Sequence, residues 1–498
     1  MSGNESSITR RGFLDAVGGT AAMTTVGTTA AAAQPGTLFP GAPLRVKPVF
    51  TWSLPTKREL ASWRPYGGLT TRAAIDEEAR RIADEVRKLA ATAEFPMEAQ
   101  PLATVNSAAE AAAAADTDTD AFLVYAYDGP RQWLETIEHS RKPNVMFLRQ
   151  KSGPYYCWYE NAHYRFLRVN EDTLRQPYMD FDDVVVDDYA EALWRLRALY
   201  GLKNARGTRS LAIGGLKSYS VPGQTHGPAH VRDVWGYTLA TVSEEEVTDR
   251  VASARQDTAA MADAERRAAD LLAEPGVTLA TERKFVVNTF LALGVFKKLM
   301  KEHNCSNVGV ANCMGSIIRV LDTPPCLVFS LLNDEGFTAF CHTDYTHTPP
   351  GVLLRWISGK PSFIANAHYP HAGSITMAHC ATPRRMNGRD NEPTKIMTHF
   401  ESDYGAATRV EFTKGQTITN LVPNLTCTKW VGYRGKVADV PNYPACRSQI
   451  DMQIDGDWRK LLQDMPGFHT VLCYGDYLRE VGYALKKTGI AWENISAL

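Results

Sequence analysis

The chain has 498 residues, enough for about three domains of ordinary size. Its 54 Lys and Arg residues nearly balance its 55 Asp and Glu residues, which argues against the basic surface that a nucleic-acid-binding protein needs. A hydrophobic content of 44% with 22% charged residues is typical of a globular protein with a sizeable core.

The first 34 residues have the layout of an export signal. Arg10 and Arg11 precede a weakly apolar run, Ala16–Ala33, which ends in small residues suited to cleavage. This order is typical of a twin-arginine (Tat) signal peptide, whereas the alternative is a flexible tail rich in Ala and Thr. The pattern predicts export by the Tat machinery to the periplasm or the cell exterior. No apolar run of about 18 residues follows this segment, so no stable membrane anchor is predicted.

Residues 35–205 are predicted to form an α/β domain, because apolar strand-like runs alternate with helical patterns. Strands are expected at 121–127 and 144–150, and helices at 73–92, 108–115, 131–140 and 187–200.

Residues 206–366 are predicted to form a second α/β domain. A loop is expected between strands at 210–215 and 236–242, and Ser243 with Glu246 forms a capping box that begins one long helix reaching about residue 273. An apolar face predicts a further helix at 285–299, and 307–313 reads as a buried strand.

Residues 367–498 are predicted to form a β-rich C-terminal domain. The expected strands are 374–380, 395–400, 408–412, 417–422, 448–454 and 469–475, with helices at 457–465 and from 477 onward. Nine cysteines occur without a CxxC motif, and their odd number defines no disulfide framework.

The stretch FCHTDYTHT (340–348) concentrates groups that bind metals or move protons. Asp344 lies two residues from His342 and three from His347, close enough to share an ion if the backbone turns. The following prolines, Pro349 and Pro350, suit the first turn of a helix. The stretch would then lie in a loop above a strand end, where open α/β sheets bind ligands. The alternative is a capping aspartate beside solvated histidines.

Three further side chains are candidates for the same site. His379 ends one predicted strand and His469 begins another, although a histidine at a strand edge can also be a structural residue. Glu335 is a candidate general base or a turn residue before Gly336.

A zinc site made of Cys341, His342, His379 and Cys380 is a separate hypothesis. Adjacent residues on a strand point to opposite faces, which disfavours it.

From about residue 205 onward the chain resembles the L-fucose isomerase and L-arabinose isomerase superfamily. The resemblance is carried by the segments LLNDEGFTAFCHTD, SGKPSFIAN, MAHCATP, CRSQIDM and PGFHTVLCYGDYLREVGYALKKTGI. It implies a fucose isomerase-like fold, with two doubly wound α/β domains followed by a β-rich domain, and a homo-oligomer.

The resemblance also implies a divalent metal, usually Mn²⁺, held by two acidic side chains and a histidine. Asp344 matches the aspartate of the family's CExD segment, and His469 matches the C-terminal ligand histidine. His379 matches the histidine of an HC segment, and it would line the sugar site together with Tyr345 and His347.

Two departures from the family pattern bear on the metal. His342 replaces the glutamate of the CExD segment, and Ala311–Ser316 offers no carboxylate where the first acidic ligand is expected. His342 would then be a replacement ligand or base, with a preference shifted from Mn²⁺ toward Zn²⁺.

The resulting functional prediction is a metal-dependent aldose–ketose isomerase that acts on a sugar through an enediol. Asp344, His342 and Glu335 are the catalytic candidates, and Asp344, His469 and His342 are the metal ligands. One alternative is a non-catalytic periplasmic carbohydrate-binding protein derived from the same fold. Another is different sugar chemistry in the same cleft, such as epimerisation.

Overall fold

A parallel sheet forms the N-terminal region of the computed structural model, which describes residues 41–170 and 174–496. The strands are arranged in the order β2-β1-β4-β5-β6, with β3 also paired to β1. The elements are β1 (Leu44–Thr51), α1 (Arg72–Thr92), β2 (Met97–Ala99), β3 (Ala103–Val105), α2 (Ala108–Ala115), β4 (Ala121–Ala126), α3 (Arg131–Glu138), β5 (Asn144–Leu148), α4 (Cys157–Asn161), β6 (Val184–Val186) and α5 (Tyr189–Ala205), with short 3₁₀ or π turns at Tyr66–Gly68, Ala162–Leu167 and Phe181–Asp183.

The central strands β4 and β5 are buried along their whole length. Helices cover both faces of a parallel sheet, so such strands are apolar throughout rather than alternating. The predicted strands and helices of this region are therefore confirmed to within a few residues.

A second parallel sheet follows, in the order β11-β10-β7-β8. This part of the chain contains β7 (Arg209–Ile213), α6 (Val221–Asp233), β8 (Thr238–Val242), α7 (Glu244–Gln256), α8 (Thr258–Ala273), β9 (Val277–Ala280), α9 (Arg283–Glu302), β10 (Asn307–Val310), a π turn at Cys313–Ile317, α10 (Ile318–Leu321), α11 (Cys326–Asp334), β11 (Thr338–Phe340) and α12 (Thr348–Ser358).

Two predictions in this region are wrong. The expected long helix after Ser243 is two helices, because Asp257 is extended (φ −78°, ψ 107°) and its carboxylate accepts hydrogen bonds from the backbone N–H groups of Ala259 and Ala260. The expected loop between β7 and β8 contains helix α6. Pro222 and Pro228 make this segment look unlike a helix in the sequence. Pro222 lies in the first turn, where proline is tolerated, and Pro228 lies inside the helix.

The C-terminal region is a closed antiparallel barrel of six strands, in the order β16-β19-β12-β13-β18-β17, with β17 pairing back to β16 and β20 added in parallel along β17. Its elements are β12 (Phe363–Ala367), β13 (Ser374–His379), β14 (Thr394–Met397), β15 (Ala407–Val410), β16 (Thr417–Pro423), β17 (Lys429–Asp439), β18 (Ser448–Asp455), α13 (Trp458–Asp464), β19 (His469–Tyr474), α14 (Leu478–Lys486) and β20 (Ala491–Asn494).

A small sheet, β15-β14-β9, joins this region to the preceding one, because β9 pairs in parallel with β14. The fold class is thus mixed α/β, with parallel sheets flanked by helices and a β-rich C-terminal region. The predicted signal residues Arg10 and Arg11 lie outside the described residues.

Within the described part of the chain no single helix is both long and apolar enough to cross a membrane. The segments Cys313–Leu321 and Cys326–Asp334 meet those criteria only when taken together, and they are bent by 83° relative to each other.

Candidate metal centre

The candidate site lies at the carboxyl ends of three neighbouring parallel strands, β7, β10 and β11. The loop after β7 carries Ser218 and Tyr219, the turn after β10 begins at Cys313, and the loop after β11 carries the stretch 341–347. Ligands commonly bind at this edge of an open α/β sheet. The predicted position of FCHTDYTHT above a strand end is therefore correct.

Two barrel strands supply the other histidines. On β12, Asn366 pairs with His469 on one side and with Ala378, the neighbour of His379, on the other. This pairing places two imidazoles that are 90 residues apart in the chain at adjacent register levels on the two strands that flank β12.

Four histidines form one cluster. The ring centre of His342 lies 4.9 Å from that of His469 and 6.3 Å from that of His379. The ring of His347 packs edge-on against His469 at 5.2 Å. Tyr219 contacts two of the four, with its ring 4.7 Å from His342 and 4.8 Å from His469.

Two histidines of this cluster, His342 and His379, and the adjacent Cys341 have potential ligand atoms within 4.8 Å of one another. The ligand atoms around a tetrahedral zinc ion are separated by about 3.3–3.8 Å, given zinc–nitrogen and zinc–sulfur bond lengths of about 2.0–2.3 Å. The three side chains therefore need to move by only about an ångström to bind one ion.

The strand-alternation argument against a site with adjacent cysteine and histidine holds for only one of the two pairs. Strand β11 ends at Phe340, so Cys341 and His342 lie in a turn and both can face the site. Cys380 directly follows β13 and does not belong to the converging group, and its sulfur accepts a hydrogen bond from the Arg447 backbone N–H at 3.4 Å.

All four imidazoles are held uncharged. Burial, together with neighbouring imidazoles, lowers the pKa of His342 to about 3 and that of His379 to about 4. Burial is also the main cause of the lowered pKa values of His347 and His469. Neutral imidazoles have a free nitrogen lone pair at pH 7, as metal coordination requires.

Asp344 is buried, and protein donors occupy both of its carboxylate oxygens. One oxygen accepts hydrogen bonds from the Ser218 hydroxyl (2.7 Å) and the Tyr219 backbone N–H (3.3 Å). The other accepts from the backbone N–H (3.0 Å) and hydroxyl (2.8 Å) of Thr346. Burial raises the pKa of Asp344, but His347, Ser218 and Thr346 outweigh it and hold that pKa below its usual value.

These bonds also fix the protonation of His347. The Thr346 hydroxyl donates to Asp344, so Nδ1–H of His347 donates to the Thr346 oxygen at 2.6 Å and leaves Nε2 as an acceptor. A histidine backed in this way by a carboxylate is oriented as metal-binding and proton-transfer histidines usually are.

His379 is held differently. Its Nδ1 accepts a hydrogen bond from the Ala381 backbone N–H at 3.1 Å, so Nε2 carries the proton. Coordination through Nε2 would move this proton to Nδ1 and break that bond, whereas coordination through Nδ1 would replace it.

Asp344 and His469, the predicted ligand pair, belong to this cluster and share two neighbours. Tyr219 donates its backbone N–H to Asp344 and packs its ring against His469. His347 lies 3.8 Å from the Asp344 carboxylate and also contacts the ring of His469. Asp344 accepts its hydrogen bonds from Ser218, Tyr219 and Thr346 and none from His469, so in this geometry it orients its neighbours.

Glu335 and Tyr345 are not brought to the cluster by any described contact. Glu335 follows α11 and forms ion pairs with Lys297 at 2.5 Å and Arg267 at 3.3 Å. Tyr345 is buried, and its hydroxyl donates to Ser210 on β7 at 3.1 Å. Two ion pairs therefore account for the Glu335 side chain, and an internal hydrogen bond accounts for that of Tyr345.

Tyr219 and Cys313 are the residues that sequence reasoning missed. The Tyr219 phenol lies 3.1 Å from Nδ1 of His342, and the thiols of Cys313 and Cys341 are in hydrogen-bonding contact. Cys313 follows β10, the neighbour of β11, and Tyr219 follows β7, the next strand in the sheet, and that position is the one signal that points to them.

An aromatic rim marks where the cluster opens to solvent. Tyr219 is 62% exposed and Phe468 48% exposed, with ring centres 6.0 Å apart. The Phe468 ring also packs on His469 at 4.0 Å. The exposed ring faces provide an apolar surface beside polar groups, which suits a small ligand with both characters.

Comparison of the sequence with models of known protein families and with curated proteins finds no match in either case.

Proposed function

We propose that the protein is a metal-dependent enzyme that holds one zinc-class ion through Cys341, His342 and His379. The observation that carries the proposal is the convergence of these three ligand atoms, from two different structural layers, within 4.8 Å of one another. Burial keeps the imidazoles uncharged, so no proton has to be removed from a cation before they bind. A thiol and two imidazoles favour Zn²⁺ over Mn²⁺, which prefers oxygen ligands.

We further propose that the substrate is a small sugar, interconverted between its aldose and ketose forms through an enediol. The resemblance to sugar isomerases supports this reaction, and so does the presence of Asp344 and His469 in one cluster. The rim formed by Tyr219 and Phe468 gives a sugar ring or chain an apolar surface to pack on. When bound, the ion would supply a Lewis acid for the sugar carbonyl and the adjacent hydroxyl.

The protein's own groups would position the substrate and carry its protons. His347, whose Nε2 is left as an acceptor, would take the proton from C2 and return it to C1. The Tyr219 phenol, at the opening and 3.1 Å from Nδ1 of His342, can exchange a proton with a sugar oxygen while the imidazole stabilises either form. Asp344 holds the loops after β7 and β11 together through Ser218 and Thr346, which fixes the positions of Tyr219 and His347.

Metal analysis followed by an activity screen tests this function. Protein purified without added ions should contain close to one equivalent of zinc or a similar ion, and should isomerise at least one member of an aldose panel. His342→Ala should lose both properties. His226→Ala, at an exposed position on α6, is the matched control and should lose neither.

The other results would assign the protein differently. Sugar binding without metal or turnover would favour the non-catalytic carbohydrate-binding alternative. Absence of a metal in protein that has been offered zinc would refute the proposed centre.

A further inference from the structure

We infer that Cys313 is a fourth ligand of this ion, so that Cys313, Cys341, His342 and His379 together form a Cys₂His₂ centre for a thiophilic metal. The inference rests on the proposed function only in that it assumes an ion at the other three ligands. It adds a ligand from a third loop and defines the class of metal.

Strand pairing brings Cys313 to the site. Strands β10 and β11 run parallel, with Gly309 opposite Phe340, so the turn that begins at Cys313 and the loop that begins at Cys341 leave the same sheet edge side by side. The approach is close, because a Cβ placed on Gly309 would lie 2.3 Å from the carbonyl oxygen of His342. Glycine at this position is therefore required for the His342 backbone to pack against β10.

The thiol of Cys313 faces the proposed centre. It is in hydrogen-bonding contact with the Cys341 thiol, whose sulfur lies within 4.8 Å of a ligand nitrogen of both histidines; the Cys313 sulfur itself lies outside this 4.8 Å group and reaches it through Cys341. The turn that carries Cys313 is stabilised by the Asn312 side chain, whose Nδ2 donates to the Ser316 hydroxyl at 3.1 Å. A second sulfur therefore lies beside the first without any rearrangement of the backbone.

The ligand chemistry then selects the metal. The thiol of Cys313, like that of Cys341, becomes anionic when it binds a cation. Two thiolates neutralise a divalent ion in a buried site, and sulfur ligands favour Zn²⁺, Co²⁺ or Cd²⁺ over Mn²⁺ or Mg²⁺.

Four protein ligands fill a tetrahedral zinc ion, whereas a catalytic ion needs an open position. His379 is the ligand best able to provide one. Its Nδ1 already has an alternative partner, the Ala381 backbone N–H, to which it can return when substrate replaces it.

A second thiol pair nearby provides the matched control. Cys380 and Cys446 contact each other, and Cys380 also accepts the hydrogen bond from the Arg447 backbone N–H. These thiols resemble Cys313 and Cys341 in burial and mutual contact, but neither of them belongs to the group of ligand atoms within 4.8 Å of one another, whereas Cys341, the partner of Cys313, does.

Cobalt substitution tests the inference, because thiolate-to-cobalt charge-transfer absorption increases with the number of bound thiolates. The metal-free full chain is titrated with Co²⁺ alone, and the visible d–d bands report whether the ion is tetrahedral. We expect tetrahedral bands with an intensity corresponding to two thiolates in the wild type. Cys313→Ser should lose about half of this intensity and at least tenfold in affinity, a loss no smaller than that caused by removing an outer partner of a ligand.

Two further variants keep the result interpretable. Cys446→Ser should leave the spectrum unchanged. Cys313→Asp should keep a bound ion with one thiolate and shift the preference toward Mn²⁺, and this effect separates the loss of a ligand from a loss of folding. Thermal unfolding of each metal-free variant confirms that it is folded.

An unchanged charge-transfer intensity in Cys313→Ser, or a loss in Cys446→Ser as large as in Cys313→Ser, would overturn the inference. A wild type that binds cobalt with one thiolate would overturn the fourth ligand but leave the proposed centre intact. A wild type that binds no cobalt would overturn the proposed centre itself.

Discussion

The phenol oxygen of Tyr219 lies 3.1 Å from Nδ1 of His342, although the two residues are 123 positions apart in the chain. The contact joins the loops that follow β7 and β11, and the Tyr219 ring packs edge-on against His342 and His469. If His342 binds an ion through Nε2, its Nδ1–H donates to the Tyr219 oxygen and orients the ring.

Tyr219→Phe isolates this hydrogen bond, because the ring and its packing remain. We expect zinc affinity to fall by about tenfold, the lower end of the range for losing an outer partner of a ligand histidine. The free energy of unfolding of the metal-free protein should not change, since the phenol is exposed. Competition titration with a zinc indicator measures the effect, with Tyr369→Phe as an exposed control outside the cluster. Equal affinities for wild type and Tyr219→Phe would show that the phenol does not orient His342.

Acid should destabilise the metal-free protein through the histidine cluster. Burial lowers the pKa of His379 to about 4, whereas an unfolded chain protonates histidine near pH 6.5. Between these values the unfolded state binds one more proton than the folded state. His379 alone therefore lowers the free energy of unfolding by about 1.4 kcal/mol for each pH unit of acidification, from about pH 6.5 down to about pH 4, and the other histidines of the cluster add to this decrease.

His379→Gln should remove one proton from this dependence while still accepting the Ala381 N–H. Urea unfolding at a series of pH values from 7 to 4.5 gives the slope for the variant, the wild type and the exposed control His226→Gln. A slope in His379→Gln as steep as in the wild type would mean that His379 is already protonated in the folded protein.

Asp344→Asn distinguishes a positioning residue from a metal ligand. An amide in place of the carboxylate would point an N–H group toward the donors Ser218 and Tyr219, or toward both donors on Thr346. We expect the free energy of unfolding to fall by about 2 kcal/mol, as for the loss of hydrogen bonds to a buried charge. Metal stoichiometry by mass spectrometry should remain one ion per chain. Complete loss of the ion from a variant of unchanged stability would restore Asp344 as a ligand.

Arg149 should be essential for the stability of the first region. It is fully buried at the carboxyl end of β5, where its guanidinium forms ion pairs with Glu78 at 2.8 Å and Glu85 at 2.5 Å. Arg149→Met would leave Glu78 and Glu85 with Arg81 as their remaining cation, at 3.6 and 3.1 Å, at a cost of about 3 kcal/mol in unfolding free energy, the lower end for breaking a buried ion pair. Chemical denaturation measures this change. Adding Glu78→Gln and Glu85→Gln should recover part of it, and no recovery would indicate that packing of the arginine dominates.

The paired substitution Arg10→Lys and Arg11→Lys tests the predicted Tat export. Because the machinery recognises the twin arginines, the variant should accumulate inside the cell as the uncleaved precursor. Fractionation followed by immunoblotting compares it with wild type and with Arg64→Lys, a substitution beyond the signal. Normal export of the variant would mean that another route carries the protein.

The sequence predicts the central strands of the first region well, because a strand buried on both faces must be apolar along its length, as in Ala121–Ala126. It does not predict the short strands β2, β3, β6, β9 and β11, or β1. It predicts boundaries poorly where one polar side chain decides them. Asp257 breaks a continuous helical pattern by capping the next helix with its own carboxylate.

For the candidate site, the sequence indicates the loop after β11 but not its partners. Cys313 lies in the turn after the neighbouring strand β10 and Tyr219 in the loop after the next strand, β7, and their proximity depends on strand order, which one sequence does not reveal. The prediction of Glu335 as a general base also depends on contacts that one sequence does not reveal, because Lys297 and Arg267 approach Glu335 only in the folded chain.

The closure of the six-stranded barrel has a mechanical consequence. His379 and His469 belong to strands that are paired on both sides, whereas Cys313, Cys341 and His342 belong to turns with far fewer backbone bonds. An ion bound between them would attach the more flexible turns that carry Cys313, Cys341 and His342 to the rigid barrel. Removing the ion with a chelator would then free these turns while the barrel kept its structure. Amide hydrogen exchange should therefore accelerate in the turns around 313 and 341 and stay slow along β13 and β19.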